Sequence, residues 1–366
     1  MKSLVEQITN ALRQIHPAAL DTDIVTAGAV KQLHCDEQSV VLHVQFGFPA
    51  SSVAAGFKRR IEQLLVPYLG GRELQLTVDW EVKAHITQGQ TRPLPTVRNV
   101  ILVASGKGGV GKSTTTVNLA LALAAEGAKV GLLDADLFGP SLPLMMGLPE
   151  GTRPDYDEAK NFIPPKAHGV EVMSINFMVD EAKTPVVWRG PKASGAVLQL
   201  AQQTRWGDLD YLFVDMPPGT SDIQLTVAQR IPVAGSVVVT TPQEVALADA
   251  RKGIEMFHKV GVHVLGVVEN MAVHVCSACG NHDAVFGHQG GQHLAQEYQT
   301  ELLASLPLVS AIREHADAGT PLVLAAPDSA EAALYQVGAR RLAGALSLRD
   351  AAKPPAFARM VMQHNP

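Results

Sequence analysis

The sequence predicts an α/β protein, a parallel sheet with helices on both faces, preceded by a small α+β unit. From Val100 onward, short apolar runs recur at NVILVAS, KVGLLDAD, YLFVDM, GSVVVTT and VLGVVENM, with helix-length segments between several of them. Near-continuous apolar strands that alternate with helices indicate strands covered on both faces. Upstream of that point the apolar residues alternate or follow a helical period, which suits a smaller unit. At 366 residues, 46% hydrophobic and 18% charged, the chain is long enough for a sizeable core and two domains.

Residues 1–85 form the small unit. Leu4, Val5, Ile8, Leu12 and Ile15 recur at helical spacing with Glu6 and Arg13 among them. That pattern predicts a helix rather than a secretory leader, because no continuous apolar run follows. DIVTAGAVKQLHC and SVVLHVQFGF, divided by Asp36 and Glu37, predict two strands. SSVAAGFKRRIEQLLVPYL predicts an amphipathic helix capped by Ser51 or Ser52, and ELQLTVDWEV alternates as a third strand. Residues 86–98 lie in a polar stretch with two prolines and a glycine, AHITQGQTRPLPTVRN, and predict a linker. The main domain then covers 99–350, and the proline-bearing residues 351–366 form a tail.

Composition narrows the function. Thirty Lys and Arg against thirty-five Asp and Glu give a net charge of -5, a poor footprint for nucleic acid. No stretch approaches the roughly 18 uninterrupted apolar residues that a membrane span needs. Three cysteines without a leader suit a reducing cytoplasm, where a C-x-x-C pair means metal or redox work rather than a structural disulfide.

The most specific stretch is ILVASGKGGVGKSTTTVNLALALAAEG. Gly106, Lys107, Gly108, Gly109, Val110, Gly111, Lys112 and Ser113 satisfy G-x-x-x-x-G-K-[ST], with a strand before and a helix after. Glycines let backbone N–H groups wrap a phosphate chain, and the helix start adds its positive end. Lys112 is the candidate for β/γ-phosphate charge, Ser113 for Mg²⁺, and Thr114 completes the loop's binding set. Asp134 and Asp136 end one strand and Asp215 another, the last followed by Pro217, Pro218 and Gly219. Carboxylates at the carboxyl ends of parallel strands face the ligand crevice. Asp215 fits the role of holding Mg²⁺, and Asp136 that of positioning the attacking water. Asp134 serves either the site or the cap of the next helix.

GKGGVGKST, DADLFGPS, WRGP from Trp188 to Pro191, VDMPPGTSD, ENM and VCSACG stand in the order found in the Mrp/ApbC family of iron–sulfur cluster carrier ATPases. The sequence resembles that family from about Val100 to Leu346, and its first unit resembles the small metal–sulfur cluster assembly domain often fused to such proteins. The loop resembles the deviant P-loop of the MinD/ParA and nitrogenase iron-protein superfamily, in which a second lysine, here Lys107, reaches the partner's nucleotide. The resemblance implies a P-loop NTPase fold and a cytosolic homodimer that binds and hydrolyses ATP with Mg²⁺. It implies a labile iron–sulfur cluster, exchanged with cluster-assembly scaffolds and apo-proteins, and neither nucleic acid nor membrane as a partner. Lys107, Lys112 and Asp136 would be catalytic, and Asn270 would read the adenine; otherwise Asn270 is a polar turn after a buried strand.

Cys276 and Cys279 are two residues apart, and the remaining cysteine is the distant Cys35. A cluster usually needs four thiolates. Two chains related by a two-fold axis, the commonest oligomer symmetry, would supply them and hold a bridging 4Fe–4S cluster. His274, His282, His288 and His293 leave a Cys₂His₂ zinc site within one chain as an alternative, and a redox dithiol as another. At the level of function, the alternatives are a positioning ATPase of the MinD/ParA kind and a zinc-containing scaffold. The first leaves the cysteine pair unexplained and lacks a basic amphipathic tail; the second leaves Lys112, Ser113, Asp136 and Asp215 without a task.

Overall fold

The computed structural model describes residues 4–88, 91, 93–137, 139–178, 190–276 and 278–350. The tail, together with Trp188 and Arg189 of WRGP, lies outside the described residues.

The small unit comprises α1 (Leu4–Leu12), β1 (Val30–Cys35), β2 (Ser39–Phe46), α2 (Ser51–Leu69) and β3 (Glu73–Trp80). Its sheet runs β1-β2-β3, the first pair antiparallel and the second parallel. Val40, Leu42, Val44 and Phe46 of β2 point inward, onto Ile8 and Leu12 of α1 and Ile61 and Leu65 of α2. That is the period-two burial of a half-covered sheet.

Two local expectations need correction. DIVTAG is a turn, not strand. Asp23 Oδ1 accepts the N–H groups of Val25 (2.8 Å) and Thr26 (2.9 Å), and its Oδ2 accepts the Thr26 hydroxyl. Side-chain bonds of this kind compete with an extended backbone, so β1 starts only at Val30. The cap of α2 also differs: Ala50 holds the N-cap position without a side-chain bond. The Ser52 N–H and hydroxyl instead donate to the carboxylate of Glu126, in the main domain. Glu126 is buried and also pairs with Arg340 at 2.6 Å.

The main domain begins with β4 (Val97–Ser105), two residues inside the stretch assigned to the linker. It continues through α3 (Lys112–Ala125), β5 (Val130–Asp134), α4 (Leu142–Met145), a hairpin of β6 (Asp155–Tyr156) and β7 (Phe162–Ile163), β8 (Lys166–Ala167) and β9 (Val170–Ser174). Next come α5 (Gly190–Gln203), β10 (Leu209–Asp215), α6 (Asp222–Arg230), β11 (Val233–Thr240), α7 (Glu244–Lys259) and β12 (Val264–Glu269). After a hairpin of β13 (His274–Val275) and β14 (His282–Asp283) follow α8 (Gly290–Glu297), β15 (Glu301–Ser305), α9 (Ser310–Asp317), α10 (Leu322–Ala325) and α11 (Ala330–Ser347).

The large sheet has the order β15-β12-β11-β4-β10-β5-β9-β8, parallel except for β8 at one edge. Every residue of β5, β10, β11 and β12 is buried, as their apolar runs require. Two apolar clusters cover the two faces, one around α3 and α11, the other around α5, α6 and α7. The phosphate-loop strand β4 lies between β11 and β10, so its carboxyl end opens into the middle of the crevice.

Candidate functional site

The loop between β4 and α3 is shaped by what presses on it. Gly106 lies against the backbone of Asp249 and Ala250 in α7, where a Cβ has no room. Gly111 has φ +82° and faces the Asn270 amide, so a side chain there would be strained and obstructed. Asn270 Nδ2 donates to the Val110 carbonyl at 2.8 Å, and its own N–H donates to Thr240. Asn270 thus clamps the loop. Gly108 and Gly109 are exposed, and Thr114 sits on the first turn of α3 with its carbonyl accepting Asn118 Nδ2.

Lys112, only 6% exposed, brings its ammonium 2.7 Å from Asp215 Oδ2, 3.5 Å from Asp136 Oδ2 and 3.2 Å from Ser113 Oγ. The Ser113 hydroxyl donates to Asp215 Oδ2 at 2.5 Å. Thr116 donates to the other oxygen, Oδ1, at 2.8 Å. Four of the sequence-predicted residues therefore converge at one point: Lys112, Ser113, Asp136 and Asp215. Thr116 was missed; its signal is the three-residue step from Ser113, which places both hydroxyls on one helix face.

Asp134 is the register partner of Asp215 across β5 and β10. It is fully buried, and burial followed by the Asp215 charge pushes its carboxyl up from the ordinary carboxylate value. It accepts the N–H of Leu142, first residue of α4, and of Asp136, together with the Ser174 hydroxyl. The capping reading of Asp134 is the one the geometry supports. Lys112 meets two carboxylates, those of Asp136 and Asp215, so the pair outweighs its single charge, and Ser113 and Asp215 present hard oxygen donors. That donor set suits Mg²⁺, which is usually held by one or two protein oxygens plus substrate phosphates.

Lys107 Nζ donates to Gln243 Oε1 at 3.3 Å, and Thr241 donates to the same oxygen. Gln243, just before α7, has no sequence signal, because its partner lies far away along the chain.

The cysteine pair sits on the β13–β14 hairpin. The Cys276 N–H donates to Asn281, the Gly280 N–H donates back to Cys276, and Gly280 turns the chain at φ +70°. The N–H groups of Ala278 and Cys279, and then the Cys279 thiol, hold the Cys276 thiol below its ordinary value. Hydrogen bonds into a sulfur favour the thiolate, the form that binds metal. Cys279 is exposed. His282, His288 and His293 are exposed and His274 half-buried, and among the described residues no three Cys, His, Asp or Glu side chains gather to hold a metal. Cys35 ends β1, packed against the small unit's core, where burial pushes its thiol up.

Comparison with known proteins adds the lineage. Residues 96–343 match the family profile described as ParA, the NUBPL iron-transfer P-loop NTPase, and residues 5–75 match that of an iron–sulfur cluster assembly protein. The chain is 58% identical to an iron–sulfur cluster carrier protein of Pseudomonas fragi over 275 residues, 75% of this chain and 96% of that one. It is 45% identical to the iron–sulfur cluster carrier protein of Escherichia coli, over 94% of this chain and 93% of that one. It is 48% identical to the mouse iron–sulfur cluster transfer protein NUBPL, over 72% and 85%. Among solved structures, an Archaeoglobus fulgidus nucleotide-binding protein in complex with ADP matches at TM-score 0.54 and 38% identity, covering 62% of this chain and 88% of that one. The Pyrococcus furiosus cell division ATPase MinD, at TM-score 0.50 and 23% identity over 67% and 98%, shares the fold.

Proposed function

This chain belongs to the NUBPL-type iron-transfer P-loop NTPases, the family of the iron–sulfur cluster carrier proteins, and from that premise we propose that it hydrolyses ATP while carrying a cluster between two chains of a cytoplasmic homodimer. Cluster-assembly scaffolds supply the cluster and apo iron–sulfur proteins receive it. The observation that carries this reading is a pair of thiols with no third ligand gathered beside it among the described residues. A two-fold axis through the hairpins would make four thiolates, the set that a 4Fe–4S cluster needs.

Each residue of the nucleotide site then has a task. Glycines 106, 108, 109 and 111 and the N–H groups after them cradle the phosphates. Lys112 exchanges its carboxylate partners for the β/γ-phosphates, Ser113 and Asp215 hold Mg²⁺, and Asp136 orients water. Thr116 keeps the Asp215 carboxylate in place. Asn270 Oδ1 faces the adenine amino group while its Nδ2 stays on Val110. Lys107 leaves Gln243 to reach the partner's nucleotide. Asn270 also supplies coupling: it touches the phosphate loop and lies six residues before Cys276 along the chain. A shift of the loop would thus pass directly into the hairpin, so that nucleotide state gates cluster binding and release. No described helix is long and apolar enough to cross a membrane.

The test is anaerobic reconstitution of the full chain, with iron and sulfide counted per dimer and transfer to an apo-ferredoxin followed with and without Mg-ATP. One four-iron cluster per dimer, released at a nucleotide-dependent rate, is expected. Iron held equally well by monomers would sink the bridging reading. A transfer rate indifferent to ATP would sink the coupling.

A further inference from the structure

A second cavity lies away from the nucleotide site, where the small unit meets the carboxyl end of α11. It measures about 180 Å³ and is lined by Lys31, Glu81, Lys83, His85 and Arg349 among others. Three of these side chains are permanently cationic and one is anionic. His85 is buried, with its Nδ1 hydrogen on Asn99 Oδ1 at 2.9 Å. Burial, reinforced by the Arg349 and Lys83 charges, lowers its affinity for a proton.

Arg349 is the feature that needs an explanation. Its Nε is sealed from solvent and has no hydrogen-bond partner among the described residues. A buried donor on a charged group is normally matched, and an unmatched one marks either strain or a missing acceptor. The Nε itself is closed off from the cavity, so a ligand there would meet the remaining guanidinium N–H groups. With Glu81 in the lining and Asp350 beside Arg349, three cations still outnumber two carboxylates, which suits an anion. Lys31 uses one of its three N–H bonds on the Gly28 carbonyl at 2.6 Å, which leaves donors to spare. Lys83 is exposed and lines the cavity.

We propose that this cavity binds a compact dianion, of the phosphate or dicarboxylate type, seated on Arg349 and closed over by Lys31 and Lys83. Phosphate and dicarboxylate share the needed chemistry, two negative oxygens within reach of a planar guanidinium. The volume admits an anion of that size and excludes a nucleotide. The site draws residues from both units, so occupancy would tie them together. It is independent of the carrier reading.

The experiment is titration calorimetry of the full chain with inorganic phosphate and, separately, malonate, with chloride as the reference anion. The phosphate loop is first filled with Mg²⁺ and a non-hydrolysable ATP analogue, which removes it as a competing site. Saturable binding of either dianion at one per chain is expected. Arg349→Gln should weaken it about tenfold, the loss of one charge-assisted hydrogen bond. Lys83→Met, at an exposed position where folding is not at stake, should weaken it several-fold, and Lys166→Met, at an exposed position on the edge strand β8 outside the cavity lining, should not. The phosphate and malonate arms then distinguish which dianion the site prefers. Dianions that bind no better than chloride, or binding untouched by both Arg349→Gln and Lys83→Met, would overturn the proposal.

Discussion

At the start of α3, Lys112 is 6% exposed and meets Asp215, Asp136 and Ser113 of its own chain. On the β13–β14 hairpin, Cys279 is exposed and no third ligand side chain joins the pair among the described residues. The first region is held by the protein interior, with Asp215 taking a lysine, a serine and a threonine at once. The second is held by a few backbone hydrogen bonds of a two-residue-per-strand hairpin. Burial encloses the Lys112–Asp215 cluster, the proposed nucleotide site, within one chain. Exposure makes the thiol pair accessible to a second chain or to an acceptor. On the proposed function the enclosed cluster would be the timer and the open hairpin the hand-off point, and substitutions can be chosen that separate the two.

The largest effect should come from Lys112→Ala. ATP turnover should fall by roughly 10²–10³-fold or more, as for loss of a main transition-state charge contact. Iron per dimer after reconstitution should stay unchanged. Loss of a buried ion-pair partner also costs about 3–5 kcal/mol, so a thermal melt must accompany the assay. If the variant remains folded and iron disappears as well, the two regions are not separable in the way the geometry suggests.

Cys276→Ser or Cys279→Ser is the converse. Either removes two thiolates per dimer from a four-thiolate site, so iron should be lost, while ATP turnover should stay within about twofold because the sites share no side chain. Dimers mixed from wild-type and doubly substituted chains sharpen this further. They should hold at most a weak cluster. One of full stability on the single intact hairpin would place the whole site within one chain.

Asp136→Asn ranks next. The amide keeps the hydrogen-bonding shape but is a poor base, so Mg-ATP should still bind while hydrolysis slows by about 10²-fold. If equilibrium binding fails instead, Asp136 belongs with Asp215 in holding the metal.

How far the sequence revealed these regions depended on how local each constraint is. Gly106, Gly111, Lys112 and Ser113 are readable because a phosphate loop dictates residue type at those positions, and Asp215 because a carboxylate closes the apolar run YLFV. Thr116 hides because a threonine inside a helix resembles ordinary filler until its hydroxyl is seen on Asp215. Gln243 and Glu126 hide because their partners, Lys107 and Ser52, are distant in sequence. The turn at Asp23 was misread because Val and Ile suggested a strand, while a side-chain oxygen was claiming the backbone. Strands β9 and β15 escaped for a related reason: VEVMS and ELLAS carry polar residues in runs too short to read as strands.

The smallest expected effect concerns Asp134, which lies behind the site rather than in it. Its carboxyl is pushed up in the folded chain, first by burial and then by the Asp215 charge. Between the ordinary value of 3.8 and the raised one, the folded chain binds a proton that the unfolded chain does not. Stability from this group is therefore fully present at low pH and declines as pH rises through that window, by at most about 1.4 kcal/mol per pH unit. Asp134→Asn removes the titration, while its carbonyl oxygen can still accept one of the N–H groups of Leu142 and Asp136. Other carboxylates, such as Asp36 and Asp157, have lowered values and slope the opposite way, so only the difference between variant and wild type is informative. Chemical denaturation from pH 5 to 8 should show the variant gaining on wild type as pH rises. A difference that stays flat, or that reverses, would mean that Asp134 is ionised in the fold and that Lys112 faces three charged carboxylates.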